Sequence, residues 1–210
     1  TNLPSTDVAD LIAFVKSEGV ALTVVGPEAP LAAGVVDAFQ DAGLRIFGPK
    51  RAAAMLESSK DFAKQFMVRH RIPTAAYETF TDAAAAHAYI EKQGAPIVVK
   101  ADGLAAGKGV LVTDSREEAA RWVDHCLEGG FGTAGASVLI EDFLDGPEVS
   151  VFAVCTEKGA KLLEPARDYK RLRDADQGPN TGGMGSYSPV TDLPEGLMGE
   201  AMRSVIEPTL

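Results

Sequence analysis

The spacing of apolar residues divides the first part of the chain into alternating helices and strands. Apolar residues at helical spacing predict helices over 7–17 and 31–43. Short apolar runs bounded by turn residues predict strands over 21–25 and 44–47. This order of elements predicts a parallel sheet covered by helices, which is an α/β arrangement.

A second pattern follows a helix predicted over 50–69 and begins at Pro73. Residues 75–143 contain apolar runs and helical patterns that predict a small α+β unit, large enough to act as a lid. The predicted elements are strands over 75–80, 97–99, 110–113 and 138–143, a helix over 82–93, and a helix that opens with the capping box Ser115–Glu118.

Residues 164–189 show no periodicity and mix glycine with Asp, Lys, Arg, Tyr and Met. A structureless segment of this length inside a compact domain is usually functional or disordered. Flexible linkers rarely combine these side chains with glycine, so the segment is predicted to be an ordered anion-binding loop. A helix is predicted to follow over 195–210.

The composition narrows the class of protein. The 46% hydrophobic and 24% charged content is typical of a soluble globular protein. The net charge of -10 argues against a nucleic-acid partner, because cations dominate contacts with a phosphate backbone. No apolar run approaches the ~20 residues of a membrane span, so a cytoplasmic protein without a membrane partner is expected. Cys126 and Cys155 lack metal-ligand spacing and are predicted to be buried free thiols.

Residues 96–113, PIVVKADGLAAGKGVLVT, are the most informative stretch. Two β-branched runs flank a glycine-rich tip, which predicts a hairpin whose backbone a ligand oxygen can approach closely. A phosphate group suits such a tip, with Lys100 and Lys108 as nearby cations. The spacing does not fit a Walker A loop, since Gly109 stands where Ser or Thr should follow the lysine. An ordinary glycine-rich turn explains the same pattern about as well.

Three further places are candidates for a site. GPEAP at 26–30 follows a strand, where ligands of parallel sheets bind, although a simple strand-to-helix turn fits too. Lys60 lies at the start of an amphipathic helix, where a solvated surface lysine is the usual interpretation. In residues 138–154 two strands are predicted to meet at LDG, where backbone groups could face a heterocycle and a carboxylate a ribose. A turn with solvated acids is the alternative there.

Several stretches, taken together, resemble one family. They are GPEAPL at 26–31, FGP at 47–49 with SK at 59–60, KADGLAAGKGV at 100–110, EDFLDGPEVS at 141–150, and DYKR with GPNTGGMGSYSP within 168–189. On these residues the chain resembles the phosphoribosylamine–glycine ligase (glycinamide ribonucleotide synthetase) family of the ATP-grasp superfamily. Many ATP-grasp enzymes share the hairpin and the acidic hinge, whereas KADGLAAGKG and GPNTGGMG together are specific to this ligase.

The resemblance implies an α/β fold in two portions. A parallel-sheet N-terminal portion (Rossmann-like, pre-ATP-grasp) precedes an ATP-grasp fold with a small α+β lid. The implied domains are the C-terminal part of the N-terminal α/β substrate domain at 1–49, connecting helices at 50–74, the ATP-grasp lid at 75–147, and the first part of the ATP-grasp core at 148–210. Because the family's chains are longer, this sequence is expected to be an internal part of such an enzyme.

The resemblance also implies a reaction. ATP phosphorylates the carboxylate of glycine, and the amine of 5-phosphoribosylamine attacks the glycyl phosphate to give glycinamide ribonucleotide, ADP and phosphate, a step of purine synthesis. Positioning and charge neutralisation suffice for such chemistry, so no Ser, Cys or His nucleophile is needed. The implied cofactors are ATP and Mg²⁺ or Mn²⁺, and the implied partners are the two small-molecule substrates.

The family's functional residues map onto this sequence by their motifs. The implied catalytic residues are Lys100, Asp168 and Lys170. The implied nucleotide-binding residues are Lys60, Lys100, Gly103, Ala106, Gly107, Lys108, Gly109, Glu141, Asp142, Phe143, Leu144 and Glu148. The implied substrate-binding residues are Pro27, Glu28, Asp168, Lys170, Asn180, Thr181, Gly182, Gly183, Met184 and Gly185. No metal ligand is assigned within the chain, because those of the family are expected beyond Leu210.

Two other functions compete with this ligase. One is an ATP-grasp carboxylate–amine ligase or carboxylase with another substrate, against which the GPNTGGMG loop argues. The other is a non-catalytic ATP-binding module that lacks the metal-binding carboxylates. A panel of substrates distinguishes the first of these from the ligase, and sequence beyond Leu210 distinguishes the second.

Overall fold

The computed structural model describes residues 1–105, 108–175 and 177–210, with the backbone alone for Pro179 and Asn180. These residues form two compact units, Thr1–Ala63 and Lys64–Leu210. The four domain boundaries implied by the resemblance stay a prediction.

The first unit contains the parallel pair of strands that the sequence predicts. Its elements are α1 (Val8–Ser17), β1 (Thr23–Val24), α2 (Glu28–Ala33), α3 (Val35–Asp41), β2 (Ile46–Phe47), α4 (Arg51–Ser58) and the start of α5 (Lys60–His70). Strands β1 and β2 pair in parallel, with Thr23 opposite Ile46. The helix predicted over 31–43 is two helices, because Gly34 adopts the left-handed conformation (φ 91°) and ends α2. Buried Val35, Val36 and Phe39 of α3 form the core with Val15.

The second unit opens with a four-stranded antiparallel sheet, here called the lid sheet. Its elements are β3 (Tyr77–Phe80), α6 (Ala83–Gln93), β4 (Ile97–Ala101), β5 (Val110–Thr113), α7 (Arg116–His125) and β6 (Val138–Asp142), in the strand order β3-β6-β4-β5. Two helices and four strands are what the sequence pattern predicts. Ile97, Val99 and Ile140 lie in one buried cluster with residues of α6 and α7, so the helices cover one face of the sheet.

The start of α7 shows why the local sequence folds this way. Ser115 Oγ accepts a hydrogen bond from Glu118 N at 3.2 Å, as in the predicted capping box. The Glu118 carboxylate, however, accepts from the hydroxyl of Thr113 on β5, and that hydroxyl accepts from Ser115 N at 3.1 Å. Strand and helix are therefore tied together at this corner, and half of the capping box is replaced by a tertiary contact.

The remaining chain forms two hairpins and a C-terminal helical segment. The elements are β7 (Ala153–Thr156), β8 (Gly159–Leu162), β9 (Arg167–Arg173), β10 (Gln177–Tyr187), α8 (Leu197–Ala201), a π-helical turn (Met202–Ile206) and α9 (Glu207–Thr209). Strands β7 and β8 pair antiparallel, as do β9 and β10. The strand predicted directly after LDG begins later, at Ala153, and one isolated bridge joins Ser150 to Ala166.

The structure corrects the prediction that residues 164–189 form a loop. Most of this segment is the β9–β10 hairpin, in which the register shifts twice, between Gln177 and Asn180 and between Asn180 and Gly185. Such irregularities remove the period of two by which a strand is recognised, and largely exposed strands carry little apolar alternation. Among the described residues, no helix combines the length and apolar character that crossing a bilayer requires.

Candidate functional site

A buried carboxylate joins two lysines on one face of the lid sheet. Lys100 on β4 donates a hydrogen bond from Nζ to Glu141 Oε2 on β6 at 2.9 Å. Lys64 Nζ, on α5, lies 3.2 Å from the same oxygen. The side chains of Lys64 and Glu141 are only 8% and 6% exposed, whereas that of Lys100 is 27% exposed. We call these three residues the Lys–Glu–Lys cluster.

Strand alternation explains why this face of the sheet carries charge. Val99 and Ile140 are opposite each other in the β4–β6 pair and point toward the helices. Lys100 and Glu141 are the next residues along each strand, so they project from the other face. The register therefore separates an apolar face that packs against helices from a face that holds ionised groups.

The glycine-rich hairpin requires glycine for reasons of space. A Cβ atom at Gly103 would lie 2.8 Å from Ala134 Cα, and one at Gly109 would lie 2.7 Å from the Cβ of Ala105. Gly103 N donates to Ala134 O at 3.0 Å, and Lys108 N donates to Ala105 O at 2.9 Å. These two amides are thus engaged within the protein. The predicted residues Ala106 and Gly107 lie outside the described residues.

Residues 143–148, which follow β6 and are here called the hinge, share one cavity of 430 Å³ with strand β9. Its apolar lining includes Val112 of β5 with Phe143 and Leu144, and its charged lining includes Glu148, Asp168 and Lys170. The remaining lining residues are Asp145, Gly146, Pro147, Arg167, Tyr169 and Arg171. Predicted nucleotide-binding and substrate-binding residues are therefore brought together here, while Asp142 is exposed at the end of β6.

Lys170 forms ion pairs with two carboxylates of this cavity. Its ammonium nitrogen donates to Glu148 Oε2 at 3.0 Å and lies 3.6 Å from Asp168 Oδ2. The hydrogen bond to Glu148 raises the pKa of Lys170, and the nearby Asp168 adds to that effect. Arg167 donates to the backbone oxygen of Glu148 at 3.0 Å, which fixes the hinge to β9.

The glycine-rich part of β10 supplies the other predicted substrate residues. Thr181 Oγ1 donates to Lys170 O at 2.9 Å and accepts from Gly183 N at 3.0 Å. Met184 and Gly185 line a second cavity, of 620 Å³, together with Tyr169 and Arg171. A side chain would have open space at Gly182. The Asn180 side chain lies outside the described residues.

Three predicted residues lie in the first unit. Pro27 precedes α2, Glu28 is the first residue of that helix, and Lys60 is the first residue of α5. Their roles stay predictions.

Sequence reasoning did not identify two cations of the site. Lys64 lies two positions from both Phe62 and Phe66, so a helical pattern places it opposite the aromatic residues, toward solvent, whereas it is buried. Arg171 lines both cavities and donates to Gly178 O at 2.9 Å. Two signals pointed to it: its place in DYKR beside two predicted site residues, and the cationic character of the segment predicted to bind an anion.

One cysteine prediction is right and the other is wrong. Cys126 is buried against the lid core, and burial raises the pKa of its thiol to about 11. Cys155 is exposed on β7. A strand pattern predicts burial only where the strand lies in a core, and β7 belongs to a hairpin whose residues face solvent.

Family models match the whole chain. The model for the N domain of phosphoribosylglycinamide synthetase matches residues 1–57, and the model for the ATP-grasp (A) domain of the same enzyme matches residues 58–210. A phosphoribosylamine–glycine ligase of Ralstonia nicotianae is 58% identical over all of this chain and 50% of its own length. One from Brucella melitensis is 55% identical over 97% of this chain and 48% of its own. The chain thus spans about half the length of the curated relatives it matches.

Solved structures agree with this assignment. A phosphoribosylamine–glycine ligase from Thermotoga maritima aligns with a TM-score of 0.71 and 39% identity, over 79% of this chain and 42% of its own. A biotin carboxylase from Campylobacter jejuni, in complex with β-γ-ATP, has a TM-score of 0.77 at 18% identity, over 96% of this chain and 45% of its own. The second likeness shows the α/β ATP-grasp fold alone. The chain belongs to the phosphoribosylglycinamide synthetase family.

Proposed function

We propose that this chain provides part of an ATP-dependent ligase that joins glycine to 5-phosphoribosylamine through a glycyl phosphate. The products are glycinamide ribonucleotide, ADP and phosphate, in purine synthesis. The observation that carries the proposal is the 430 Å³ cavity, in which hinge residues stand beside Asp168 and Lys170. Relatives at 50% identity or more are named phosphoribosylamine–glycine ligases, which supports this choice of substrates.

The cavity has the chemical character that an adenine nucleotide needs. Val112, Phe143 and Leu144 offer apolar surface to a flat heterocycle, and Glu148 can accept hydrogen bonds from ribose hydroxyls. Lys100, the most exposed member of the Lys–Glu–Lys cluster, is the proposed phosphate contact. Lys60 and the hairpin 103–109 are proposed to complete phosphate binding.

The β9–β10 hairpin carries the proposed substrate contacts. Asp168 can attract an amine, and Lys170 can neutralise a carboxylate or an acyl phosphate. In the reaction a glycine carboxylate oxygen forms a bond to the γ-phosphorus as ADP leaves. The amine nitrogen then bonds to the acyl carbon, inorganic phosphate leaves and the nitrogen loses a proton. Both steps are accelerated by charged side chains in fixed positions and by close placement of the reactants, rather than by a protein nucleophile. Pro27, Glu28 and residues 180–185 are proposed to bind the substrates.

A divalent cation is part of the proposal only as a companion of ATP. A related carboxylase domain from Hydrogenobacter thermophilus, at 18% identity, was solved with MgADP. We propose Mg²⁺, with Mn²⁺ as a substitute. Within the described residues, no group of three or more His, Cys, Asp or Glu is arranged to hold a metal. Because the reaction uses ATP and charged small molecules, we propose a cytoplasmic location.

The proposal is tested by ADP release from the native gene product that contains residues 1–210. The assay contains Mg²⁺, ATP and 5-phosphoribosylamine, with and without glycine. Glycine-dependent release with formation of glycinamide ribonucleotide supports the ligase. Release that depends on another amino or carboxylic acid, in a matched panel, would assign a different ATP-grasp ligase. Binding of ATP without release under any of these conditions would assign a binding module.

A further inference from the structure

The ammonium group of Lys64 is buried and has three oxygen partners. Its Nζ donates to Thr74 Oγ1 at 2.7 Å and to Ala75 O at 3.1 Å, and lies 3.2 Å from Glu141 Oε2. The same nitrogen is 5.3 Å from the centre of the Tyr77 ring. An ammonium group has three donors, and here three oxygens surround it. Lys64 is thus fixed, and it fixes the carboxylate that it faces.

The charges of the Lys–Glu–Lys cluster do not cancel. Two ammonium groups and one carboxylate leave one positive charge. Without Lys64, the Lys100–Glu141 pair would be neutral, and the carboxylate would compete with any anion for the ammonium of Lys100. Burying charged groups is costly unless each is paired, so a second buried cation needs a reason beyond packing. Lys100 is the most exposed member of the cluster, so it is the ammonium group that an anion can reach most easily.

We propose that Lys64 is a positioning residue for nucleotide binding. It neutralises Glu141 and holds that carboxylate in place, so that Lys100 is oriented by Glu141 yet keeps a net positive field for a phosphate group. This inference rests on the proposed function, because it takes the phosphate of ATP as the anion that Lys100 meets. It adds a residue that does not itself touch the nucleotide.

The test compares ATP with adenosine, which lacks phosphate. Dissociation constants for both are measured calorimetrically on the native gene product and on Lys64→Met, with melting temperatures as a check on folding. We expect Lys64→Met to weaken ATP binding by about tenfold or more and to change adenosine binding by less than about twofold. Lys64→Gln, which keeps a donor for Thr74 or Ala75 but loses the charge, is measured alongside in case the methionine variant does not fold. The exposed Lys92→Met is the matched control and should change neither constant.

A compensating variant separates charge from structure. In Lys64→Met with Glu141→Gln the cluster again carries one positive charge, on Lys100. We expect the ratio of ATP to adenosine affinity to return to within about threefold of the wild-type ratio, even if the melting temperature stays low. A merely structural Lys64 would lower the melting temperature and leave that ratio unchanged in every variant.

The outcomes also separate this inference from the proposed function. A wild-type protein that binds ATP, with an unchanged ATP to adenosine ratio in the neutral Lys64 variants, overturns the role of Lys64 alone. The same holds if the double variant is no better than the single one. A wild-type protein that binds neither ATP nor adenosine overturns the proposed function, and the inference falls with it.

Discussion

The lid sheet and the two hairpins β7–β8 and β9–β10 hold their functional candidates in different ways. In the lid sheet, Val99 and Ile140 are fully buried beneath two helices. Lys100 and Glu141 project from the opposite face, where Lys64 of α5 meets them. In the hairpins, large apolar residues are exposed, for example Val154 at 39% and Leu172 at 50%. Asp168 and Lys170 are therefore placed mainly by ion pairs and backbone pairing.

The difference indicates how each part should respond to a ligand. Side chains fixed by a packed core are preorganised and bind without rearrangement. Exposed ion pairs contribute little stability, because water screens them and their side chains lose entropy when held. Substrate charges can therefore replace the pairs Lys170–Glu148 and Lys170–Asp168 at low cost. We infer a rigid nucleotide-binding part and an adaptable substrate-binding part.

Thiol reactivity should show the largest contrast. At pH 8, a pKa of about 11 leaves Cys126 roughly one part in a thousand as thiolate, and burial blocks reagent as well. Exposed Cys155 should react with an aromatic disulfide reagent more than about a thousandfold faster than Cys126. The release of chromophore is followed spectrophotometrically, with Cys155→Ser as the control. Fast modification of Cys126 in that variant, assigned by peptide mass mapping, would contradict the contrast.

Truncation of buried and exposed side chains should differ next. Ile140→Ala should lower the free energy of unfolding by about 3 kcal/mol, because it opens a cavity in the lid core. Leu172→Ala on β9 should lower it by less than about 0.5 kcal/mol. Urea unfolding can be followed by the fluorescence of Trp122, the one tryptophan of the sequence, which packs against that core. Equal losses would show that the hairpin is as tightly packed as the sheet.

A substitution in the lid sheet should affect ATP binding, whereas one in the β9–β10 hairpin should affect turnover. Lys100→Ala should weaken ATP binding by about tenfold to a hundredfold, since it removes the proposed charge-assisted contact with phosphate. Asp168→Ala should leave ATP binding within about threefold and lower kcat by about a hundredfold or more. Calorimetry measures the first quantity and ADP release the second. Unchanged ATP affinity in Lys100→Ala would remove that lysine from its proposed role.

The smallest expected effect concerns the ion pair at the base of β9. Arg167 Nη1 lies 2.9 Å from Asp192 Oδ2, and this hydrogen bond lowers the pKa of Asp192. Because its pKa is lowered, ionised Asp192 stabilises the fold at pH values above the ordinary carboxyl pKa of 3.8. This stabilisation is lost as the pH falls through the folded-state pKa. Arg167→Met should raise the Asp192 pKa toward 3.8 in a carbon-detected NMR titration. The difference in free energy of unfolding between Arg167→Met and the wild type should then become smaller in acid. An Asp192 pKa that does not move would show that another group causes the shift.

Much of the lid could be predicted from sequence because its central strands β4 and β6 are short apolar runs that are buried almost throughout. Val99 and Ile140 belong to these runs, and the glycine hairpin carries its own signature at Gly103 and Gly109. The β9–β10 hairpin could not be predicted, because its exposed strands carry no apolar alternation and its register shifts twice. Lys64 was not predicted for a different reason. Helical periodicity predicts an exposed position for a lysine, and only the tertiary fold places a carboxylate beside this one.

The site residues were predicted as a set by their motifs, and physical reasoning alone left each one ambiguous. The structure brings Phe143, Leu144 and Glu148 together with Asp168 and Lys170 in one cavity. No such grouping follows from the spacing of these residues along the chain, since turns and register shifts intervene. Prediction was thus best where local periodicity determines geometry, and poorest where distant segments meet.

The alternation between the two faces of β4 and β6 also bears on the fidelity of folding. A slip of one residue in this pair would turn Lys100 or Glu141 toward the apolar cluster beneath the helices. An unpaired charge there would cost several kcal/mol, far more than a misplaced valine would on the other face. Lys100, the proposed phosphate contact, and Glu141, which orients it, therefore also disfavour misregistered strand pairing. Selection for ligand binding would at the same time select for the correct register.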